Sequence, residues 1–291
     1  MIAITREVSP SVWRCELSHL ERTPIDYLRA VEQHHDYQRA LVSLGFEVRD
    51  LLADATHPDS VFVEDTAIVL PELAIITRPG AVSRRGETRA MAEALAPLRP
   101  LVMIEEPGTI DGGDVLPLGR TIYIGRSERT NDDGIDQVLF YVERHGYDVV
   151  PVEVRDALHL KTAVTRIAPD TLIINPQWVD GSAFPGWKLI ECHPDEPFAA
   201  NVLLAGDGVI ASAQYPRTLE RIQAVARRVI PVDSSELAKA EGGVTCCAVL
   251  VDYARRRPAG RPLFRTARLT TDALALALEG GFSPNSPWLA S

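Results

Sequence analysis

Apolar and polar positions along the chain fall into short blocks with two recurring periods. Leu28, Val31, Tyr37, Leu41 and Leu44 share one helical stripe between Asp26 and Gly45, and Phe46–Leu52 follows as a strand. Asp59–Leu70 and Leu73–Arg78 read as a hairpin turned at Pro71-Glu72, followed by a helix over Arg84–Leu98 and a strand over Leu101–Glu105. The same order returns in Ile110–Leu116, a Gly119-Arg120 turn, Ile122–Arg126, a helix over Asp132–His145 and a strand over Tyr147–Val152. A third copy begins at Leu158–Thr162, turns at Pro169-Asp170 and returns through Leu172–Asn175, with a loop over Pro176–Trp187 in place of the helix. A fourth runs from Phe198–Asn201 through Gly206–Gly208 and Val209–Ala211 to a helix over Thr218–Arg228 and a strand over Val229–Val232.

The unit is ββαβ. Aligning its copies on the polar residue that opens each first strand superimposes Asp65, Asp111, His159, Asn201 and Cys246, a period of about 45 residues of the kind that marks propellers and arrays. The fifth copy is split. Val244–Tyr253 supplies its first strand, and Ile2–Arg6, which resembles Ala74–Arg78, supplies the return strand. Joining the ends closes a ring, and equivalent positions of a ring face a common axis. Two acids, a His, an Asn and a Cys at those positions point to a site, because unpaired buried charge costs several kcal/mol and a bare core would place apolar groups there.

Composition narrows the chemistry. The 291 residues are 46% hydrophobic, ordinary for a folded chain with a sizeable core, and the net charge of −10 argues against nucleic acid and anionic membranes as partners. It permits a cationic substrate. Four cysteines (Cys15, Cys192, Cys246, Cys247) are too few for a disulfide scaffold, and the chain has neither a signal-peptide pattern nor an apolar run of membrane-spanning length, so a reducing, cytoplasmic setting is expected. Gly242-Gly243 leads into Thr245-Cys246-Cys247 and an apolar run, which places a thiol at the polar mouth of a strand. Such a pair suits core packing as well as nucleophilic chemistry, and His159 with the acids at matching positions favours the nucleophile. No close Cys/His spacing suggests a metal site, and no cofactor is expected.

Six stretches in this order resemble the dimethylarginine dimethylaminohydrolases of the guanidino-group-modifying (pentein) superfamily: Asp59–Asp65, Arg78–Arg85, Asp111–Asp114, Arg129–Asn131, Leu158–Lys161 and Thr245–Cys247. The resemblance covers roughly residues 1–252. It implies an α/β fold, a five-bladed α/β propeller of ββαβ units closed by the N- and C-terminal strands. It also implies Cys246 as nucleophile, His159 as general acid/base and Asp111 as the carboxylate orienting it. Glu64 and Asp65 would hold the guanidinium, Arg84 and Arg129 the α-carboxylate, and Asp59 the α-amino group. Leu17, in a lid over about residues 12–23, completes the substrate-binding set with Phe62 and Ala240.

The implied reaction is hydrolysis of Nω-methylated L-arginine to L-citrulline and methylamine or dimethylamine through a covalent thiouronium. Arginine deiminase, citrulline hydrolase and amidinotransferase activity are neighbouring alternatives, and a non-catalytic binding propeller is the alternative of another class. The expected partner is a small guanidino amino acid, and a homodimer is left open. Residues 253–291 depart from the family pattern: an Arg/Pro/Gly linker from Arg255 precedes a short helix over Ala273–Glu279, of unknown role.

Overall fold

A computed structural model describes residues 1–252; the 253–291 extension, with the far end of the expected Val244–Tyr253 strand, lies outside the described residues. In chain order the strands and helices are β1 (Ile2–Arg6), α1 (Tyr27–Ser43), β2 (Glu47–Leu51), β3 (Ala67–Val69), β4 (Ala74–Ile76), α2 (Thr88–Leu95) and β5 (Leu101–Met103). They continue with β6 (Val115–Leu118), β7 (Thr121–Arg126), α3 (Asp132–Val142), β8 (Asp148–Glu153), α4 (Leu160–Ala163), β9 (Val164–Ala168), β10 (Thr171–Ile174) and β11 (Lys188–Glu191). The last are β12 (Leu203–Ala205), β13 (Gly208–Ser212), α5 (Pro216–Gln223), β14 (Val229–Val232), α6 (Ser235–Ala238) and β15 (Val249–Val251). No helix among the described residues is long and apolar enough to cross a membrane.

These strands form five three-stranded sheets, β15-β1-β2, β3-β4-β5, β6-β7-β8, β9-β10-β11 and β12-β13-β14. In each, an antiparallel pair is extended by a parallel third strand, as a ββαβ unit requires. The split copy pairs as expected, with Ile2 opposite Val251 and, on its other side, Glu47. Five apolar clusters join successive sheets, the last of them joining β13 and β14 to β1 through Ala205, Ile210, Val232, Ala3 and Phe46. One cavity of about 290 Å³ is lined by residues of β3, β6, β9, β12 and β15, the first strand of every sheet.

Three expectations need correction. The first strands are only three to five residues long, because tight turns take up the residues before four of them: Val63–Thr66, which contains Asp65; Gly112–Asp114, which follows Asp111; α4, which follows His159; and the turn at 244–247, which contains Cys246. Those turns free backbone amides to serve side chains of the neighbouring repeat, an alternative to the strand ladder. Gly113 N donates to Asp65 Oδ1 (2.9 Å), Leu160 N to Asp114 Oδ1 (2.9 Å) and Thr245 N to Asn201 Oδ1 (3.1 Å). The helical stripe of α1 holds at Tyr37, Leu41 and Leu44, all buried, but fails at Leu28. Its buried face is Ala30, His34, Tyr37 and Leu41, while Leu28 is 73% exposed; Asp26 caps its start by accepting from Arg29 N, and Gly45 ends it at φ +84°. Finally, β11 closes the third copy where only a loop was expected up to Trp187, pairing in parallel with β10.

Candidate active site

Cys246 sits on the turn before β15 and is 8% exposed, so the thiol is buried and not open at a strand mouth. Its backbone carbonyl accepts from Glu64 N (3.0 Å), and its Sγ accepts from Gly243 N (3.4 Å). Cys247 points away, into a separate hollow with His34, Tyr37 and Leu237. Because both cysteines lie in a turn, strand alternation is not what separates them; the turn itself sends the two side chains to different surroundings.

His159 is the last residue before α4 and is buried. Its Nε2 is 3.1 Å from Asp111 Oδ2, and its Nδ1 is 3.9 Å from Asp65 Oδ1. Asp111 is itself fixed, its Oδ1 accepting from Gly80 N (3.0 Å). Gly113 packs against the imidazole so closely that a Cβ there would lie 2.5 Å from Nδ1, which explains a glycine at that point. Burial opposes the charged imidazolium, but Asp65, the bond to Asp111 and the charge of Asp114 outweigh it and raise the His159 pKa to about 9.

Asp65 shows the reverse balance. Burial pushes its carboxyl up, yet His159, Arg84 and the Gly113 amide together hold it down at about 2. The Cys246 thiol is pushed up to about 12, first by burial and then by the negative charges of Glu64 and Asp65. The resting site thus holds an imidazolium, an ionised Asp65 and a neutral thiol at neutral pH.

The expected substrate residues gather with uneven roles. Asp59, Phe62, Asp65, Arg84, Arg129, His159, Ala240 and Cys246 line one pocket, with Glu16 and Glu241. Asp111 stands behind His159. Leu17 is half-buried and packs on the apolar cluster that contains Phe62, Ala240 and Cys246. Glu64 faces the cavity between the sheets: its Oε1 pairs with Lys161 Nζ at 2.5 Å, and its buried Oε2 has no partner. Arg84 is already engaged, donating to Asp65 Oδ2 (2.6 Å), to both oxygens of Glu87 (3.2 and 2.9 Å) and to the Phe62 carbonyl (3.2 Å). Arg129 is freer, with Nη2 donating to Ser18 Oγ at 3.0 Å. Asp59 accepts from Glu16 N at 3.1 Å, which ties the 12–23 segment to the pocket.

Sequence reasoning missed several supporting groups. Asp114 is fully buried and accepts from Ser127 Oγ (2.6 Å), Thr130 Oγ1 (2.7 Å) and Leu160 N, so it fixes the turn that carries His159; burial raises its pKa to about 6. A polar residue at the head of an apolar strand was the available signal. Lys161 had none, since its partner Glu64 is set by a tertiary contact, whereas Glu87, three residues after Arg84, offered a local i,i+3 pairing. Among the described residues, Asp65, Asp111 and His159 are the one group whose ligand atoms lie close enough, within 4.8 Å, to hold a metal ion.

The family model for N,N dimethylarginine dimethylhydrolase, eukaryotic, matches residues 20–182. An N(G),N(G)-dimethylarginine dimethylaminohydrolase of Pseudomonas aeruginosa is 41% identical over 234 residues, covering 80% of this chain and 91% of that one. Its namesake in Streptomyces coelicolor is 41% identical over 249 residues, covering 85% and 95%. A solved structure of the Pseudomonas aeruginosa enzyme, a cysteine-to-serine mutant complexed with citrulline, superimposes with a TM-score of 0.82 at 38% identity, covering 85% of this chain and 97% of that one. The N-terminal domain of ArgZ, a cyanobacterial arginine dihydrolase, shares the fold at 18% identity and a TM-score of 0.73, over 85% of this chain and 96% of that one. The chain belongs to the dimethylarginine dimethylaminohydrolase family.

Proposed function

We propose that residues 1–252 form a five-bladed α/β propeller, closed by β1 and β15, that hydrolyses Nω-methylated L-arginine to L-citrulline and methylamine or dimethylamine. The cavity bordered by the first strand of all five sheets supports the ring, as do apolar clusters that link each sheet to the next. The observation that carries the reaction is a buried thiol, Cys246, sharing one pocket with His159 and Asp65, with Asp111 on the far nitrogen of the imidazole.

A guanidinium is cationic and resonance-stabilised, so its central carbon needs a soft nucleophile and acids that hold it planar. Asp65 and the unpartnered Oε2 of Glu64 offer those acceptors. As the cation binds, Cys246 loses its proton and attacks the guanidinium carbon. His159, charged in the resting site, protonates the departing methylated amine as the C–N bond breaks, leaving a thiouronium on Sγ. Neutral His159 then takes a proton from water, the hydroxide adds to the same carbon, and the C–S bond breaks as the new hydroxyl gives up its proton to the departing sulfur, releasing the ureido product and restoring the neutral thiol. Asp111 keeps the ring oriented throughout. Arg129 is placed for the α-carboxylate and Asp59 for the α-amino group, while Leu17, Phe62 and Ala240 enclose the alkyl stem. The four free cysteines suit a reducing, cytoplasmic setting.

Incubating the purified protein with dimethylarginine, monomethylarginine, arginine, citrulline and agmatine, and measuring ureido product with released amine, is the test. Dimethylamine from dimethylarginine with Cys246-dependent kinetics is expected. Turnover of arginine or citrulline in preference to both methylated compounds overturns the reading.

A further inference from the structure

The segment over the pocket is held by a carboxylate for which this mechanism has no use. Glu241 Oε1 accepts from the backbone amides of Ser18 (3.0 Å), His19 (2.6 Å) and Leu20 (2.7 Å), and its Oε2 accepts from Ser18 as well (3.0 Å). Three successive N–H groups converging on one anion form a backbone nest. The nest residues are exposed and Glu241 is half-buried, so the contact lies at the rim where it can open. Glu241 also keeps a left-handed backbone, φ +58°, which a residue with a Cβ adopts at a cost.

Position gives the contact meaning. Glu241 lines the Cys246 pocket and, on its other side, a larger cavity of about 460 Å³ roofed by Leu20 and Glu21. The Cys246 pocket itself has a free volume of about 20 Å³, whereas pockets for small ligands run to ~300 Å³ or more. An amino acid of arginine's size enters only when the covering segment moves. Once the segment is seated, Ser18 Oγ receives Arg129 Nη2 at 3.0 Å, so its seating also sets the guanidinium placed for the α-carboxylate.

We propose that Glu241 is a positioning residue, a latch whose carboxylate seats residues 18–20 over the pocket and, through Ser18, aims Arg129. The kinetic part of the proposal rests on the guanidino-hydrolase reading; the structural part does not. Two variants separate carboxylate from backbone. Glu241→Gly removes the anion and relieves the left-handed conformation, so the protein should unfold at the same or a higher denaturant concentration. Glu241→Gln keeps the length and one acceptor but no charge.

In ligand-free protein, hydrogen exchange of the amides of residues 18–20 should accelerate ~10- to 150-fold in Glu241→Gly, the range for losing a charge-assisted bond, with Glu241→Gln between it and the parent. With dimethylarginine, KM should rise as the closed fraction falls while kcat stays within about 3-fold. Unchanged exchange in Glu241→Gly overturns the latch, and so does a fall in kcat at constant KM. A parent protein inactive on every guanidino compound sinks the hydrolase reading, and the exchange measurement still decides the latch.

Discussion

The thiol of Cys246 supplies the sharpest test of how this site is activated. Burial and the charges of Glu64 and Asp65 raise it from an ordinary value near 9 to about 12. Three units correspond to ~4 kcal/mol against the thiolate, so at pH 8 only ~10⁻⁴ of resting molecules carry it. A guanidinium about 4 Å away at an effective dielectric near 20 returns ~4 kcal/mol. The two terms nearly cancel, so the substrate's own charge is sufficient to bring the thiol back toward its ordinary range. The assay is a pH titration of thiolate absorbance in Cys247→Ser protein, with Cys246→Ser in the same background as the blank, run with and without a non-hydrolysable guanidino ligand. Free protein should show no Cys246 inflection below about pH 9.5, and the ligand should lower it by up to ~3 units. An inflection below pH 8 in free protein, or one that the ligand leaves in place, refutes the argument.

Other predictions follow from the same contacts. His159 carries a folded pKa raised from 6.5 to about 9, so its charge contributes stability that is fully present below pH 6.5 and lost as pH climbs through about 9; His159→Asn should flatten that part of the urea-midpoint curve. The same variant should lose at least ~10²-fold in turnover while staying folded. Cys246→Ser should abolish amine release and Cys247→Ser retain it, since Cys247 faces a separate hollow; the opposite pattern reverses the assignment. Asp114→Ala strands the amide of Leu160 and two hydroxyls, and should lower unfolding free energy by ~2–4 kcal/mol in chemical denaturation. Arg129→Ala should cut kcat/KM ~10- to 150-fold for dimethylarginine and far less for methylated agmatine, which lacks the carboxylate. Arg84→Ala should impair both substrates alike, because its guanidinium already serves Asp65 and Glu87.

Much of the architecture was legible because the repeat writes itself twice, once as hairpins and once as a polar residue about every 45 positions. Aligning Asp65, Asp111, His159, Asn201 and Cys246 needed only that spacing. What failed was local. The strand expected from Asp59 begins at Ala67, because Glu64 and Asp65 belong to a helical turn whose neighbours need their carboxylates. The α1 stripe was misplaced only at its start, because Ala30 and His34, both buried, carry little hydrophobic signal, whereas the apolar Leu28 lies outside. β11 escaped notice because Lys188–Glu191 is mostly exposed and does not alternate. Lys161 and Glu241 could not be read at all: each acts on a partner more than ninety residues away, and only the fold brings them together.

The uneven fates of the acids give the site its logic. Asp65 has Arg84 and His159 beside it and stays ionised, while Glu64 pairs with Lys161 and burial pushes its carboxyl up. A guanidinium bound beside Cys246 brings a positive charge into a region where uncompensated charge is expensive. In the proposed reaction, releasing the Cys246 proton cancels that charge within the pocket and creates the nucleophile in the same event. Binding at pH 8 should therefore expel close to one proton, measurable by calorimetry in buffers of different ionisation enthalpy. Cys246→Ser should bind with little or no release. If the serine variant expels as many protons as the parent, the proton comes from Glu64, whose carboxyl burial also raises, and the coupling between substrate charge and thiolate fails.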